Sequence, residues 1–284
     1  MREIGYAKIN LGLKVLGKRA DGYHAVDMVM QTISFADYVD FAPAPKFVLT
    51  MDDPDLPCDQ RNLAYKAATI ISEATGNPLN VKISINKQIF KAAGLAGGST
   101  DAAAVLRGLN KYWQSGLTEK QLEKLGEQIG SDVPFCVRGG TVRATARGEI
   151  LETLPDLPKL YLVLAKPLGL DVSTAWVYQN FKKGTCINEV NMENLVTALK
   201  TGKRENILAS LGNDLESVTL PQYPVLSSIK KTIGDNSAQA VLMSGSGPTI
   251  FGVTATEKDA KKISQLLQSE YKVSVATAET VQGR

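Results

Sequence analysis

From Ala7 to Leu16 apolar and polar residues alternate, with Ile9, Leu11, Leu13 and Val15 on one side and Lys8, Asn10, Gly12 and Lys14 on the other. A period of two predicts a half-buried strand, and the pattern alone puts Lys8 and Asn10 on its solvated face. Asp21-Gly22 signals a turn, and the apolar stretch Val26 to Phe35 predicts a second strand, so the two form a hairpin with a long connection. Asp52 to Asn62 is polar, carries Pro54 and Pro57, and reads as a loop. Leu63, Ala67, Ile70, Ile71 and Ala74 then recur at helical spacing until Gly76 ends the run. Val81, Ile83 and Ile85 predict a strand that delivers the chain into Lys91-Ala-Ala-Gly-Leu-Ala-Gly-Gly-Ser-Thr-Asp-Ala-Ala-Ala104, a glycine-rich loop running into an alanine-rich helix. That helix buries Ala102, Ala103, Val105, Leu106 and Leu109. Thr118 with Gln121 forms a capping-box signature for a helix through Leu122, Leu125 and Ile129. Asp132, between Gly130-Ser131 and an apolar run, reads by default as a helix cap, and Thr141 to Leu151 as a strand.

Pro155 and Pro158 suggest a boundary, which gives domains of 1–155 and 156–284. Beyond it the pattern predicts a strand at 160–165, helices around 173–181, 191–200, 204–217 and 223–233, strands at 238–243 and 249–253, a helix at 258–270 and a strand at 272–276. With the early helices taken as insertions, this is the β-α-β-β-α-β order of a ferredoxin-like domain. The fold class is therefore α+β. Its two middle strands are joined by Ser244-Gly-Ser-Gly-Pro248, a second glycine-rich turn that reads equally as a plain hairpin turn or as an anion nest.

Composition narrows the field without deciding it. The 284 residues are 44% hydrophobic and 21% charged, with a net charge of +3, which is ordinary for a globular chain and argues against a nucleic-acid partner. No run reaches the length of a membrane span, and the N-terminus lacks the layout of a signal peptide. Cys58, Cys136 and Cys186 fit neither a disulfide framework nor a zinc site, so a reducing, cytoplasmic setting is expected. His24, beside a turn, is the single histidine and anchors no triad by itself.

The loop at 91–104 carries the first chemical expectation. Gly94, Gly97 and Gly98 allow positive φ and close approach of a ligand, and Ser99, Thr100 and Asp101 are residue types that start helices. A helix N-terminus offers free N–H groups and partial positive charge, so a phosphate is expected there. The string is neither a Walker A loop nor a dinucleotide fingerprint.

Ala7-Lys-Ile-Asn-Leu11, Asp21-Gly-Tyr-His24, the loop at 92–104, Gly130-Ser-Asp-Val-Pro134 and Met243-Ser-Gly-Ser-Gly-Pro-Thr249 occur in one order along nearly the whole chain. Together they resemble the GHMP small-molecule kinase superfamily. The resemblance implies an N-terminal α/β domain with a mixed sheet, a C-terminal ferredoxin-like domain, and an active site in the cleft between them. It implies ATP and Mg²⁺ as cofactors, with a small-molecule alcohol as substrate. Residue by residue it implies Asp132 as general base and Lys8 as its supporting lysine. It places ATP along Phe90, Lys91, Ala92, Ala93, Gly94, Leu95, Ala96, Gly97, Gly98, Ser99 and Thr100, with Asn62 and Leu63 at the adenine pocket. Substrate falls on Asn10, Tyr23, His24, Tyr178, Gly245, Ser246 and Gly247, with Tyr23 and His24 reading a cytosine. Ser99 is the candidate ligand to Mg²⁺. Gly5-Tyr6 and Phe90-Lys91 depart from the superfamily's usual residues. Two other readings remain open: a member acting on a mevalonate-type or sugar alcohol, and a catalytically silent nucleotide-binding module. The working state is a monomer or a homodimer, without nucleic acid or membrane.

Overall fold

The computed structural model describes residues 1–182, 184 and 190–283. Cys186, one of the cysteines weighed above, lies outside the described residues. The chain begins with β1 (Arg2–Lys18), β2 (His24–Pro43), β3 (Val48–Met51), α1 (Leu63–Thr75), β4 (Val81–Asn86) and α2 (Gly97–Tyr112). It continues through α3 (Glu119–Glu127), α4 (Val133–Arg138), β5 (Thr141–Ala146), β6 (Ile150–Thr153) and β7 (Tyr161–Pro167). The remainder is α5 (Thr174–Asn180), α6 (Met192–Thr201), α7 (Arg204–Ala209), β8 (Gly212–Asn213), α8 (Glu216–Gln222), α9 (Pro224–Asp235), β9 (Ala240–Met243), β10 (Ile250–Thr254), α10 (Glu257–Glu270) and β11 (Val273–Glu279). No helix among the described residues is long and apolar enough to cross a membrane.

These elements form two compact units, and neither is a continuous piece of chain. Unit 1 holds residues 1–7, 36–89 and 96–139; unit 2 holds 8–35, 90–95 and 140–284. The cut expected at 155/156 does not coincide with a boundary between these units and stays a proposal.

In unit 1 the far half of β2 pairs antiparallel with β4, from Tyr38 opposite Asn86 to Pro43 opposite Val81, and β3 pairs parallel with β4. Val39, Phe41, Ile83, Ala67, Ile71, Ala103 and Leu106 build the core where α1 and α2 cover this sheet. The alanines of α2 bring it close. A Cβ at Gly108 would stand 2.2 Å from the Phe41 ring, so that position tolerates no side chain. Asn62 caps α1 by accepting from Ala64 N, and Gly76 ends it in the left-handed conformation. The capping box read at Thr118 and Gln121 is present at the start of α3.

In unit 2 the near half of β2 pairs antiparallel with β5, and β5 with β6. β1 runs parallel to β8, with Gly12 opposite Gly212. A second sheet, in the order β11-β7-β10-β9, is antiparallel throughout, and α9 and α10 pack on it. That is the expected ferredoxin-like arrangement.

Three expectations change. Residues 141–151 make two strands, because Gly148 takes φ +115° and turns the chain between β5 and β6. Residues 204–217 are not one helix: α7 stops at Ala209, Gly212 and Asn213 pair with β1, and α8 starts at Glu216. Third, β1 is buried on both sides between Ala7 and Leu13. Lys8 and Asn10 are 4% and 1% exposed, so the face read as solvated is interior.

Candidate active site

Lys8 and Asn10 project from the same face of β1, two residues apart, and Lys8 Nζ donates to Asn10 Oδ1 at 2.6 Å. The same ammonium donates to the carbonyl of Gly94 at 2.9 Å, and the Lys8 backbone N–H donates to Leu95 O at 3.2 Å. The glycine loop is thus pinned to β1 within unit 2. Ser244 Oγ donates to the same Gly94 carbonyl at 3.0 Å, which adds the second glycine-rich turn to the cluster. A Cβ on Gly245 would lie 3.4 Å from Lys8 Nζ and from Asn10 Oδ1. So Lys8, Asn10, Gly94, Leu95 and Gly245, grouped only by resemblance in the sequence, are neighbours in space. The electrostatics are pointed. A buried ammonium is expensive unless paired, and here both acceptors are neutral oxygens. Among the described residues two of its three N–H groups are used, which leaves one for an anionic group.

The loop achieves its path differently from expectation. Gly94 takes φ +73°, and a Cβ there would meet Ser244 O at 2.2 Å. Gly97 and Gly98 have no positive φ; they are the first residues of α2. The left-handed positions are instead Ala92, at φ +46°, and Ala96, at φ +60°. Non-glycine residues held there carry strain of a kind that gathers at functional sites. Nor do Ser99, Thr100 and Asp101 cap the helix. Its cap position is Ala96, without a side-chain bond. Thr100 Oγ1 instead donates to Tyr6 O within unit 1. Among the described residues the N–H groups of the first turn, Gly97 to Ser99, have no acceptor. Phe90, where the resemblance fails, packs its ring 5.0 Å from that of Phe35. Lys91 is exposed, as is Ala92; Ala93 is buried.

Asn62 and Leu63 sit at the start of α1 in unit 1. The Asn62 amide is spent on Ala64 N and on Pro57 O, and Leu63 Cδ1 lies 3.6 Å from where a Gly98 Cβ would be. Asp132 holds the cap position of α4, as its default reading had it, but its carboxylate makes no capping bond and is half-exposed. Among the described residues this carboxylate has no hydrogen-bond or ion-pair partner, so it is open to act on a ligand. Lys8 belongs to unit 2 and Asp132 to unit 1, and each is described in its own unit.

A second cluster forms in unit 2 around the turn after β1. The rings of His24 and Tyr178 lie 5.3 Å apart, tilted by 31°. Tyr23, 58% exposed, lies under the Arg147 guanidinium at 5.3 Å. Desolvation, with Lys18 nearby, lowers the His24 imidazole below its ordinary value, which favours the neutral ring with one donor and one acceptor.

Sequence reasoning passed over several residues that shape the site. Lys87 lies buried between Asp37 and Asp101, 2.6 Å from Asp101 Oδ2, at the start of the loop. Asp37 Oδ1 accepts from the N–H groups of Gln88 and Ile89 at 2.6 and 2.8 Å and so fixes the strand's exit. Asn213 was read as helix interior and stands beneath the second turn. A lone Lys or Asn in such a pattern gives no signal of its own.

The N-terminal domain of GHMP kinases matches residues 62–140, and the C-terminal domain matches residues 195–273. A 4-diphosphocytidyl-2-C-methyl-D-erythritol kinase of Gloeobacter violaceus is 43% identical over 97% of this chain and 93% of its own length. The chain belongs to the GHMP kinases. Its relatives of that name include one from Bacillus pumilus, 47% identical over 90% of this chain and 89% of its own. A crystal structure of a 4-(cytidine 5'-diphospho)-2C-methyl-D-erythritol kinase superposes with a TM-score of 0.83 at 32% identity, covering 98% of this chain and 99% of that one. As a GHMP kinase the chain is a small-molecule kinase with an alcohol acceptor, and ATP is its co-substrate.

Proposed function

We propose that this GHMP kinase transfers the γ-phosphoryl group of ATP to the 2-hydroxyl of 4-diphosphocytidyl-2-C-methyl-D-erythritol, a step of non-mevalonate isoprenoid precursor synthesis in the cytoplasm. End-to-end similarity to kinases bearing that substrate's name carries the reading. Phosphoryl transfer demands positioning and charge neutralisation. The free N–H groups at the start of α2 suit the polyphosphate. The Lys8 ammonium, held by neutral oxygens beside Gly94, is suited to charge on the transferred group. Asp132 takes the proton of the attacking hydroxyl. Tyr23, His24 and Tyr178 receive the cytosine, with the neutral imidazole hydrogen-bonding its edge.

Among the described residues no group of three or more His, Cys, Asp or Glu side chains could hold a metal. Mg²⁺ fits here as an ion carried by the nucleotide's phosphates and water, with the Ser99 hydroxyl in the first turn of α2 as protein oxygen. When bound it neutralises phosphate charge.

The test is turnover against a panel of alcohols with ATP. The cytidylyl methylerythritol should have the highest kcat/KM, and a mevalonate-type or sugar alcohol surpassing it would overturn the assignment. Full turnover by Asp132→Asn would remove the general-base role.

A further inference from the structure

The turn from Ser244 to Gly247 is buried, and its backbone is unusually committed. Met243 O and Gly245 O both accept from the amide nitrogen of Asn213, at 2.8 and 2.7 Å. Ser244 O accepts from Gly247 N at 2.9 Å, and Ser246 O from the Thr219 hydroxyl at 3.2 Å. Four consecutive carbonyls are therefore taken from within unit 2. The donors are not matched in the same way. Among the described residues the N–H groups of Gly245 and Ser246 have no acceptor. A trans peptide points its C=O and N–H in opposite directions. Drawing Gly245 O toward Asn213 therefore turns the Ser246 N–H away from it. Gly245 has φ +57°, the left-handed conformation that lets successive N–H groups converge into an anion nest. Gly245, which carries the first of these donors, stands beside Lys8 and Asn10.

We infer that Asn213 is a positioning residue for phosphoryl transfer. Its side-chain amide holds the turn so that the Gly245 and Ser246 N–H groups are presented to an anionic oxygen of the cytidylyl substrate. It touches neither reacting group itself. Asn213 is 7% exposed, and both of its amide hydrogens are used on this turn. Its Oδ1 has a separate job, accepting from Leu215 N at 2.9 Å ahead of α8. The two jobs can be separated chemically. Asn213→Asp keeps the acceptor for Leu215 and replaces the donor with an oxygen that repels both carbonyls.

The inference rests on the substrate reading above, so the two are tested apart. Wild-type enzyme is first assayed with ATP and the cytidylyl alcohol. If it fails there but phosphorylates another alcohol, the substrate reading falls, and the comparison proceeds with that alcohol. Asn213→Asp should then raise KM for the alcohol by about tenfold while KM for ATP stays within about twofold. A merely structural role would reduce the fraction of active enzyme, lowering kcat with both KM values unchanged, and that result overturns the inference. Thr219→Val removes the donor to Ser246 O without changing side-chain shape and should raise the alcohol KM in the same direction. Thr219→Ser should restore it. If Asn213→Asp does not fold, the Thr219 pair decides: an unchanged alcohol KM in Thr219→Val overturns the proposal.

Discussion

Gly94 concentrates the constraints of the site in one residue. Its carbonyl accepts from both Lys8 and Ser244, and its Cα faces Ser244 O too closely for any side chain. Gly94→Ala adds steric overlap to a left-handed φ. We expect it to cut kcat/KM by about a hundredfold, since misplacement near an angstrom costs that much; initial-rate kinetics would check this. Lys8→Met keeps the stem and removes the charge. It should lower kcat by on the order of a hundredfold or more while the circular dichroism spectrum stays unchanged. His24 gives a pH signature. Its folded value is depressed, so the stability it contributes is complete above the ordinary imidazole value of 6.5 and is lost as pH falls through the lowered one. Protonation also removes the ring's acceptor. KM for the cytidylyl substrate should rise as pH drops through that window, and KM for ATP should not.

At the scale of elements, α2 joins the core to the loop. One side of it is alanine and Gly108 against Phe41; the other carries Asp101 into the buried group with Lys87 and Asp37. Burial, opposed by Lys87, pushes the Asp101 carboxyl up to about 8, while the two carboxylates raise the Lys87 ammonium against burial's lowering effect. The sign for Asp101 is opposite to that of an ordinary surface carboxylate. Its contribution is complete below 3.8 and is lost as pH rises toward about 8. Asp101→Asn should therefore flatten the decline in urea-unfolding free energy between pH 5 and pH 8. A variant that declines as steeply as wild type would assign the titration elsewhere. Most elements were legible: strands β1 and β4 by alternation, α1 and α3 by spacing and caps, the glycine loop by composition. What was misread has a common cause. Alternation in β1 marks which residues share a side but cannot tell water from a second packed layer, so Lys8 and Asn10 seemed solvated. The helix predicted over 204–217 failed because β1 offers Gly212 and Asn213 a pairing partner that a local pattern does not contain.

At the scale of the whole molecule, the chain passes between the two units at residues 7/8, 35/36, 89/90, 95/96 and 139/140. Neither unit can be completed from one continuous segment, so we expect them to unfold together. Trp113 lies in unit 1 and Trp176 in unit 2, which supplies a probe for each. Single-tryptophan variants Trp113→Phe and Trp176→Phe should melt at the same temperature by fluorescence, and two separated transitions would refute the coupling. The sequence alone determined the local order of strands and helices, the anion-prone character of the loop at 91–104, and the resemblance that names candidate residues. These are properties of neighbours in the chain, set by side-chain period, backbone freedom and residue type. Tertiary structure decided that Lys8 is buried, with neutral oxygens as its acceptors among the described residues, and that Ala92 and Ala96, not Gly97 and Gly98, bend the loop. It also decided that Asn213 holds a turn thirty residues away. Each of these depends on which distant groups fill the space around a residue, and burial, dielectric surroundings and hydrogen-bond partners across the chain exist only once it has folded.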